Sequence, residues 1–434
     1  MFFERPEAGQ QAVLVHIRFS QFDEADQIQE FSELVRSADL LALATVTGRR
    51  RDPHPRSFCG AGKVEEIQAQ ITATGANLVL FNHDLGPAQQ RNLERLLDCR
   101  VIGRTELILH IFAARARTHE GQLQVELAQL RHAQSRLVRG WSHLDRQKGG
   151  VNLRGAGETQ LEVDQRLVSD RIGQLEQRLE RVRRQRGQGR RQRQRAEVPT
   201  IALVGYTNAG KSTLFNRLTA SRVLAQDQLF ATLDPTLRRL PVDGIGDVVL
   251  ADTVGFIRDL PHSLVAAFKA TLEEVAEADL LLHVIDASAP DHAERSEQVR
   301  LVLDEIGAAD RPVLQVRNKI DRLGEAPAIE YDAEGVPLSV GVSAQLGQGL
   351  ELLLDGVAAR LGVTAPQQVR LTPSAGKARS WLYNLGAVLD ETLQEDGHLQ
   401  LTVRLDERRL AQLAREPGVL LRPQQPLHRI SPSH

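Results

Sequence analysis

A chain of 434 residues, 41% hydrophobic and 25% charged, has a globular composition and length for roughly two to four domains. Its net charge of -2 excludes a strongly basic global field, so attraction to nucleic acid must come from local patches. Two cysteines, Cys59 and Cys99, exclude a disulfide framework, "MFFERPEAGQ" is charged too early for a secretory signal, and no apolar run reaches the roughly 20 residues of a membrane helix; the expectation is a soluble cytoplasmic protein.

From residue 12 to 103, apolar runs alternate with helical patterns. "AVLVHIRF", "LLALATV", "NLVLF" and "CRVIG" read as strands, and "DQIQEFSELV", "KVEEIQAQI" and "PAQQRNLERLL" as helices. Such alternation predicts a parallel sheet covered by helices. "FCGAGKVEEI" holds a glycine-lysine cluster without phosphate-loop spacing; it reads as a tight turn before a helix, with Lys63 as a weaker candidate contact for nucleotide or RNA. His54 and His83 have no partner cluster for a metal and read as structural.

Residues 104–139 read as one long helix, with Leu123, Leu127, Leu130 and Leu137 along one seam. A second helix, about 159–186, carries Leu161, Val168, Ile172, Leu175, Leu179 and Val182. Two apolar seams joined by a loop predict an antiparallel helical hairpin. Its tip contains Trp141, Arg146, Lys148 and Arg154 among glycines; these basic groups are candidate RNA-phosphate contacts, the alternative being an ordinary turn. "RLERVRRQRGQGRRQRQR", 178–195, is either a solvated helix end running into a linker or a further RNA contact. A new α/β domain begins near Val198 and ends near Leu361, its strands being "TIALVG", "DVVLADT", "LLLHVID", "PVLQVRNK" and "PLSVGVS". The tail pairs a strand, "HLQLTVRL", with a helix, "ERRLAQLAR". The expected division is 1–104, 105–197, 198–362 and 363–434. The expected fold class is α/β: an N-terminal α/β domain with a helical hairpin, a phosphate-loop domain with a mostly parallel sheet, and a small α+β C-terminal domain.

The strand "TIALVG" runs into "GYTNAGKS": Gly205, Tyr206, Thr207, Asn208, Ala209, Gly210, Lys211 and Ser212. This matches the phosphate loop G-x-x-x-x-G-K-[ST], in which glycines let backbone amides curl around phosphates at a helix N-terminus. Lys211 should reach the outer phosphates and Ser212 should ligate magnesium. "NKID", Asn318, Lys319, Ile320 and Asp321, follows another strand. Its carboxylate can accept the N1 and N2 donors of guanine, a pair adenine lacks, so Asp321 selects GTP over ATP. Asn318 would contact the base edge or brace the phosphate loop, and the stem of Lys319 would cover the base. "SAQ", Ser343, Ala344 and Gln345, should support the base through backbone amides. "DTVG" supplies Asp252, Thr253, Val254 and Gly255: the carboxylate near magnesium through water, the Gly255 amide on the terminal phosphate. "LFATLDPT" spans Phe230, Ala231, Thr232, Leu233 and Asp234 at the first switch; Thr232 and Thr236 both qualify as a magnesium ligand.

On these motifs, and on "RTHEGQLQVELAQLRH" and "LRGAGETQLE", the chain resembles HflX, a ribosome-associated GTPase family. Ala156 stands where the family has proline in the "RGPGETQ" loop. The resemblance implies an HflX domain of an α/β part and a hairpin, a translation-factor-related GTPase domain and a small C-terminal domain. It assigns the switch threonine to Thr232. It implies GTP and GDP with magnesium as ligands, the large ribosomal subunit and its RNA as partner, and separation of stalled ribosomes under stress. A monomer with no integral membrane segment is expected. The alternative is a GTPase scaffold recruiting proteins in RNA processing or at a membrane; a small-molecule kinase is disfavoured by "NKID".

Many GTPases place a water-orienting glutamine after the switch glycine, where this chain has Phe256. Phenylalanine cannot hydrogen-bond the attacking water, so slow intrinsic hydrolysis with a partner completing the site is expected. Packing of Phe256 in the switch, with a nearby side chain orienting water, is the alternative. Asn208 resembles the asparagine of GTPases that hold potassium beside the phosphates; a loop cap is its other reading.

Overall fold

The computed structural model describes residues 9–19, 24–141, 160–195, 198–220, 229–230, 232–233, 235–258 and 269–421. Ala231, Asp234, Arg146, Lys148 and Arg154 lie outside the described residues. The chain forms two compact units: Met1–Arg190 with Leu224–Pro235 and Val254–Glu273, and Arg191–Val223 with Thr236–Thr253 and Glu274–His434.

The first unit opens with β1 (Gln11–Arg18), α1 (Glu24–Ser37), β2 (Leu41–Arg49), α2 (Ala61–Thr74), β3 (Leu78–Phe81), α3 (Pro87–Leu97) and β4 (Arg100–Ile102). The strands form a parallel sheet in the order β2-β1-β3-β4. The two central strands are nearly all buried, which is why they read as unbroken apolar runs. Ile67, Leu93 and Leu97 of the helices close the core over Val13, Val15, Val79 and Phe81. His83 accepts the Ile17 amide at 3.1 Å, and Lys63 donates to Thr47 O and Glu66 at 2.7 and 2.6 Å.

The single long helix expected over 104–139 is two, α4 (Arg104–Arg115) and α5 (His119–Trp141). Ala116 turns to an extended conformation, and the Thr118 hydroxyl caps the new helix by accepting the Gly121 amide at 3.0 Å. Helix α6 (Gln160–Arg195) extends beyond the expected end and carries the arginine run. Leu123, Leu127 and Leu130 meet Val168, Ile172, Leu175 and Leu179. The contacts Glu120–Arg186, Arg131–Glu176 and Gln134–Ser169 step in opposite directions along α5 and α6, so the hairpin is antiparallel.

The second unit holds β5 (Thr200–Val204), α7 (Lys211–Thr219), β6 (Thr236–Val242) and β7 (Gly246–Asp252), with α8 (Lys269–Ala276) lying across the unit boundary. It continues through β8 (Leu280–Asp286), α9 (His292–Glu305), β9 (Val313–Asn318), β10 (Ile329–Tyr331), β11 (Pro337–Val342) and α10 (Leu350–Arg360). The sheet order is β10-β11-β9-β8-β5-β7-β6, parallel except for the edge strands β6 and β10. Its order reverses around β5, so ligand-binding loops gather at the C-terminal ends of the central strands.

The tail is a second sheet with its own core: β12 (Gln367–Leu371), α11 (Gly376–Asn384), β13 (Val388–Leu393), β14 (Leu399–Val403), α12 (Glu407–Leu413) and β15 (Val419–Leu421). The βαββαβ sequence with antiparallel order β13-β14-β12-β15 is the ferredoxin-like arrangement. Among the described residues, no helix is long and apolar enough to cross a membrane.

Candidate functional site

In the second unit, the loop from Gly205 to Gly210 joins β5 to α7. Gly205 (φ 148°) passes so close to β8 that a Cβ would lie 2.3 Å from the Val284 carbonyl. Gly210 (φ 95°) would place a Cβ 2.2 Å from Asn318 Nδ2. Both positions therefore require glycine. Asn208 takes the left-handed conformation (φ 61°), and Tyr206 and Thr207 are buried. The Lys211 ammonium donates to the carbonyls of Gly205 and Tyr206 at 3.0 and 2.8 Å. Burial pushes its pKa down to about 8, against the opposing pull of Asp252. A buried cation over a curl of backbone is an anion receptor.

Ser212 begins the helix beside β7, and its hydroxyl donates to Asp252 Oδ2 at 2.8 Å. Thr253 donates to the Leu203 carbonyl at 2.5 Å, fixing the end of β7 against β5. A serine hydroxyl beside a buried carboxylate is a hard oxygen donor set of the kind magnesium takes.

The third segment follows β9. Asn318 is buried and bonded on both sides: Nδ2 donates to Ala209 O at 2.8 Å and Oδ1 accepts the Ala344 amide at 3.0 Å. The structure thus places it as a brace joining phosphate loop, base motif and "SAQ". Lys319 (φ 67°) donates to Asn208 O at 2.8 Å and to Asp286 at 2.7 Å. Ile320 is buried, while Asp321 is partly exposed in a 3-10 turn. Ser343 accepts the Leu346 amide at 3.2 Å. Arg217 of α7 donates to the carbonyls of Ala344 and Gln345 at 3.1 and 2.5 Å. Sequence reading missed Arg217 and Asp286. Neither belongs to a motif, though an aspartate ending a buried strand at the ligand-binding edge of such a sheet is a signal.

The remaining switch residues belong to the first unit. Thr232, Leu233, Val254 and Phe256 are buried there. Phe230 (φ 57°) packs edge-on against Phe112 with ring centres 4.5 Å apart, and the Leu229 amide donates to Ser37 Oγ at 3.0 Å. Arg104 donates to Glu30 at 2.5 Å, Asn82 at 2.6 Å and the Arg258 carbonyl at 3.1 Å. Arg183 of α6 pairs with Glu273 at 2.7 Å. Segments flanking Thr232 and Gly255 are therefore bonded into the N-terminal unit, a linkage no sequence motif announced.

Comparison with known proteins matches the description "GTP-binding GTPase N-terminal" to residues 25–113 and "GTP-binding GTPase Middle Region" to 115–193. "50S ribosome-binding GTPase" matches 200–319, and "HflX C-terminal domain" matches 328–426. GTPase HflX of Escherichia coli (strain K12) is 58% identical over 423 residues, 96% of this chain and 99% of the relative. GTPase HflX of Magnetococcus marinus is 51% identical over 337 residues, 77% and 78% of the two chains. Among solved structures, a GTP-binding protein from Sulfolobus solfataricus in complex with GDP aligns with 24% identity and a TM-score of 0.43, covering 81% of this chain and 98% of that one. With four successive matched regions and a relative 58% identical over 96% of its length, the chain belongs to the HflX GTPase family and hydrolyses GTP.

Proposed function

We propose that this GTPase binds the large ribosomal subunit and uses its nucleotide cycle to separate stalled ribosomes under stress. The match of residues 200–319 to a 50S ribosome-binding GTPase supports a ribosomal partner. The observation that carries the nucleotide coupling is the bonding of Leu229, Phe230 and Arg258 into the N-terminal unit. Ordering of the switches by GTP would act directly on the domain that bears the helical hairpin. Arg146, Lys148 and Arg154, which fall between α5 and α6 in the sequence, are assigned to RNA phosphates.

In this reading Lys211 neutralises the outer phosphates and the Gly255 amide bonds the terminal one. Asp321 selects guanine, with Asn318, Lys319 and Ser343–Gln345 framing the base. Ser212 and Thr232 would ligate magnesium, with Asp252 acting through water; bound magnesium supplies charge neutralisation on the phosphates. Potassium beside Asn208 is a further candidate ion, tested by comparing turnover in potassium and sodium; equal rates reject it. Phe256, buried and without a hydrogen-bonding group, leaves intrinsic hydrolysis slow until the ribosome completes the site. The proposed working form is a cytoplasmic monomer.

Sedimentation with large subunits tests the function. Co-migration with a non-hydrolysable GTP analogue and release with GDP are expected. Equal binding in both states, or none, contradicts it and favours a protein-recruiting scaffold.

A further inference from the structure

Asp286 ends β8 at the edge of the phosphate loop. Its Oδ2 lies 2.7 Å from the Lys319 ammonium, and its Oδ1 accepts the amide and hydroxyl of Ser288 at 3.1 and 2.6 Å. Burial opposes the charged carboxylate, but the bonds from Lys319 and Ser288 outweigh it and hold the group below the usual range. The Ala287 amide donates to the Asn318 carbonyl at 2.9 Å, joining the ends of β8 and β9. Lys319 leaves β9 in the left-handed conformation, and its ammonium returns to the Asn208 carbonyl at 2.8 Å. One carboxylate thus completes a bridge from the base motif to the phosphate loop.

We propose that Asp286 is a positioning residue for the guanine nucleotide: it fixes the Lys319 ammonium against Asn208, so that the lysine stem lies where it covers the base. This rests on Asn318–Asp321 being the base site. Charge-assisted bonds of this kind are worth enough that their loss should speed nucleotide release about tenfold. The test is release of a fluorescent GDP analogue from the full chain carrying Asp286→Asn, with Asp286→Ala as a second variant should the first fail to fold. Faster release is expected, with GTP turnover at saturation changed less than about twofold. In a Lys319→Ala background the Asp286 substitution should add almost nothing, because the two act through one bond. Unchanged release, or effects that multiply fully in the double variant, would overturn the proposal. Asp321→Ala separates the two failures. If it does not speed release, the base site itself is wrong; if it does while Asp286→Asn is silent, only the role of Asp286 falls.

An independent contact concerns the hairpin between the switches. Strands β6 and β7 pair from Thr236↔Asp252 at the open end to Val242↔Gly246 at the turn. Thr232 precedes that open end in the chain, and Gly255 follows it. At the turn, the Gly244 amide donates to Leu385 O of the C-terminal domain at 3.1 Å. A Cβ on Gly244 (φ 80°) would lie 2.5 Å from Arg404 O, and one on Gly386 would lie 2.7 Å from Asp243 Oδ1. The fit leaves no slack, so movement of the hairpin has to move Leu385–Gly386 or break the contact. We infer that the C-terminal domain senses the nucleotide state through this hairpin. Hydrogen exchange of the full chain with GDP and with a non-hydrolysable GTP analogue tests it. Rates in peptides covering Gly244 and Leu385–Ala387 should differ about threefold or more between the two states. Identical exchange in those peptides would overturn the inference.

Discussion

Lys211 carries the sharpest pH signature in the phosphate loop. Free of nucleotide, it gives up its proton at about 8 because it is buried. Bound phosphate favours the charged form, so above that pH binding must take up a proton. Affinity for GTP should be flat below pH 8 and fall above it, approaching about tenfold per pH unit. Titration calorimetry in two buffers would report the uptake; a flat profile to pH 9.5 contradicts it. Gly210→Ala should reduce GTP affinity by about a hundredfold or more, since the new Cβ meets Asn318 and the backbone is left-handed. A variant that still binds normally would show that Asn318 moves freely. At this scale the motif residues were legible because each has a fixed spacing and a stated chemical task. Asp286 and Arg217 were not, because a lone carboxylate or guanidinium gains meaning only when the fold supplies its partner.

Elements were legible where burial is uniform. β5, β8 and β11 are mostly buried inner strands and read as apolar runs, whereas β9 alternates buried with more exposed residues. β6 was hidden because "TLRRLPV" is an edge strand carrying two arginines and a proline, as edges do. The break between α4 and α5 was hidden because helical patterns flank it on both sides. β12, α11, β13 and β15 are short amphipathic pieces whose roles depend on pairing with one another. The packing of Phe230 on Phe112 makes a prediction for the switch. Phe230→Ala should weaken that contact by about 3–5 kcal/mol and raise hydrogen exchange in α4. No change in α4 would mean that the aromatic pair does not hold the segment.

At the scale of the molecule, His283 is buried and His83 and His132 are partly buried, and loss of solvent lowers each to about 4. Unfolded, each would bind a proton near 6.5. The unfolded state therefore binds more protons between pH 6.5 and 4, and stability should fall as pH drops through that window, by up to about 3 kcal/mol for each histidine. Urea midpoints at pH 7 and pH 5 would show it; equal midpoints contradict it. The larger claim is that hydrolysis waits for a partner, since the Phe256 side chain has no group that can bond water and the segments flanking the switches are bonded into the unit that bears the hairpin. The direct measurement is GTP turnover by the full chain with and without large ribosomal subunits. The account predicts acceleration of at least about tenfold by the subunit. Equal rates would contradict it.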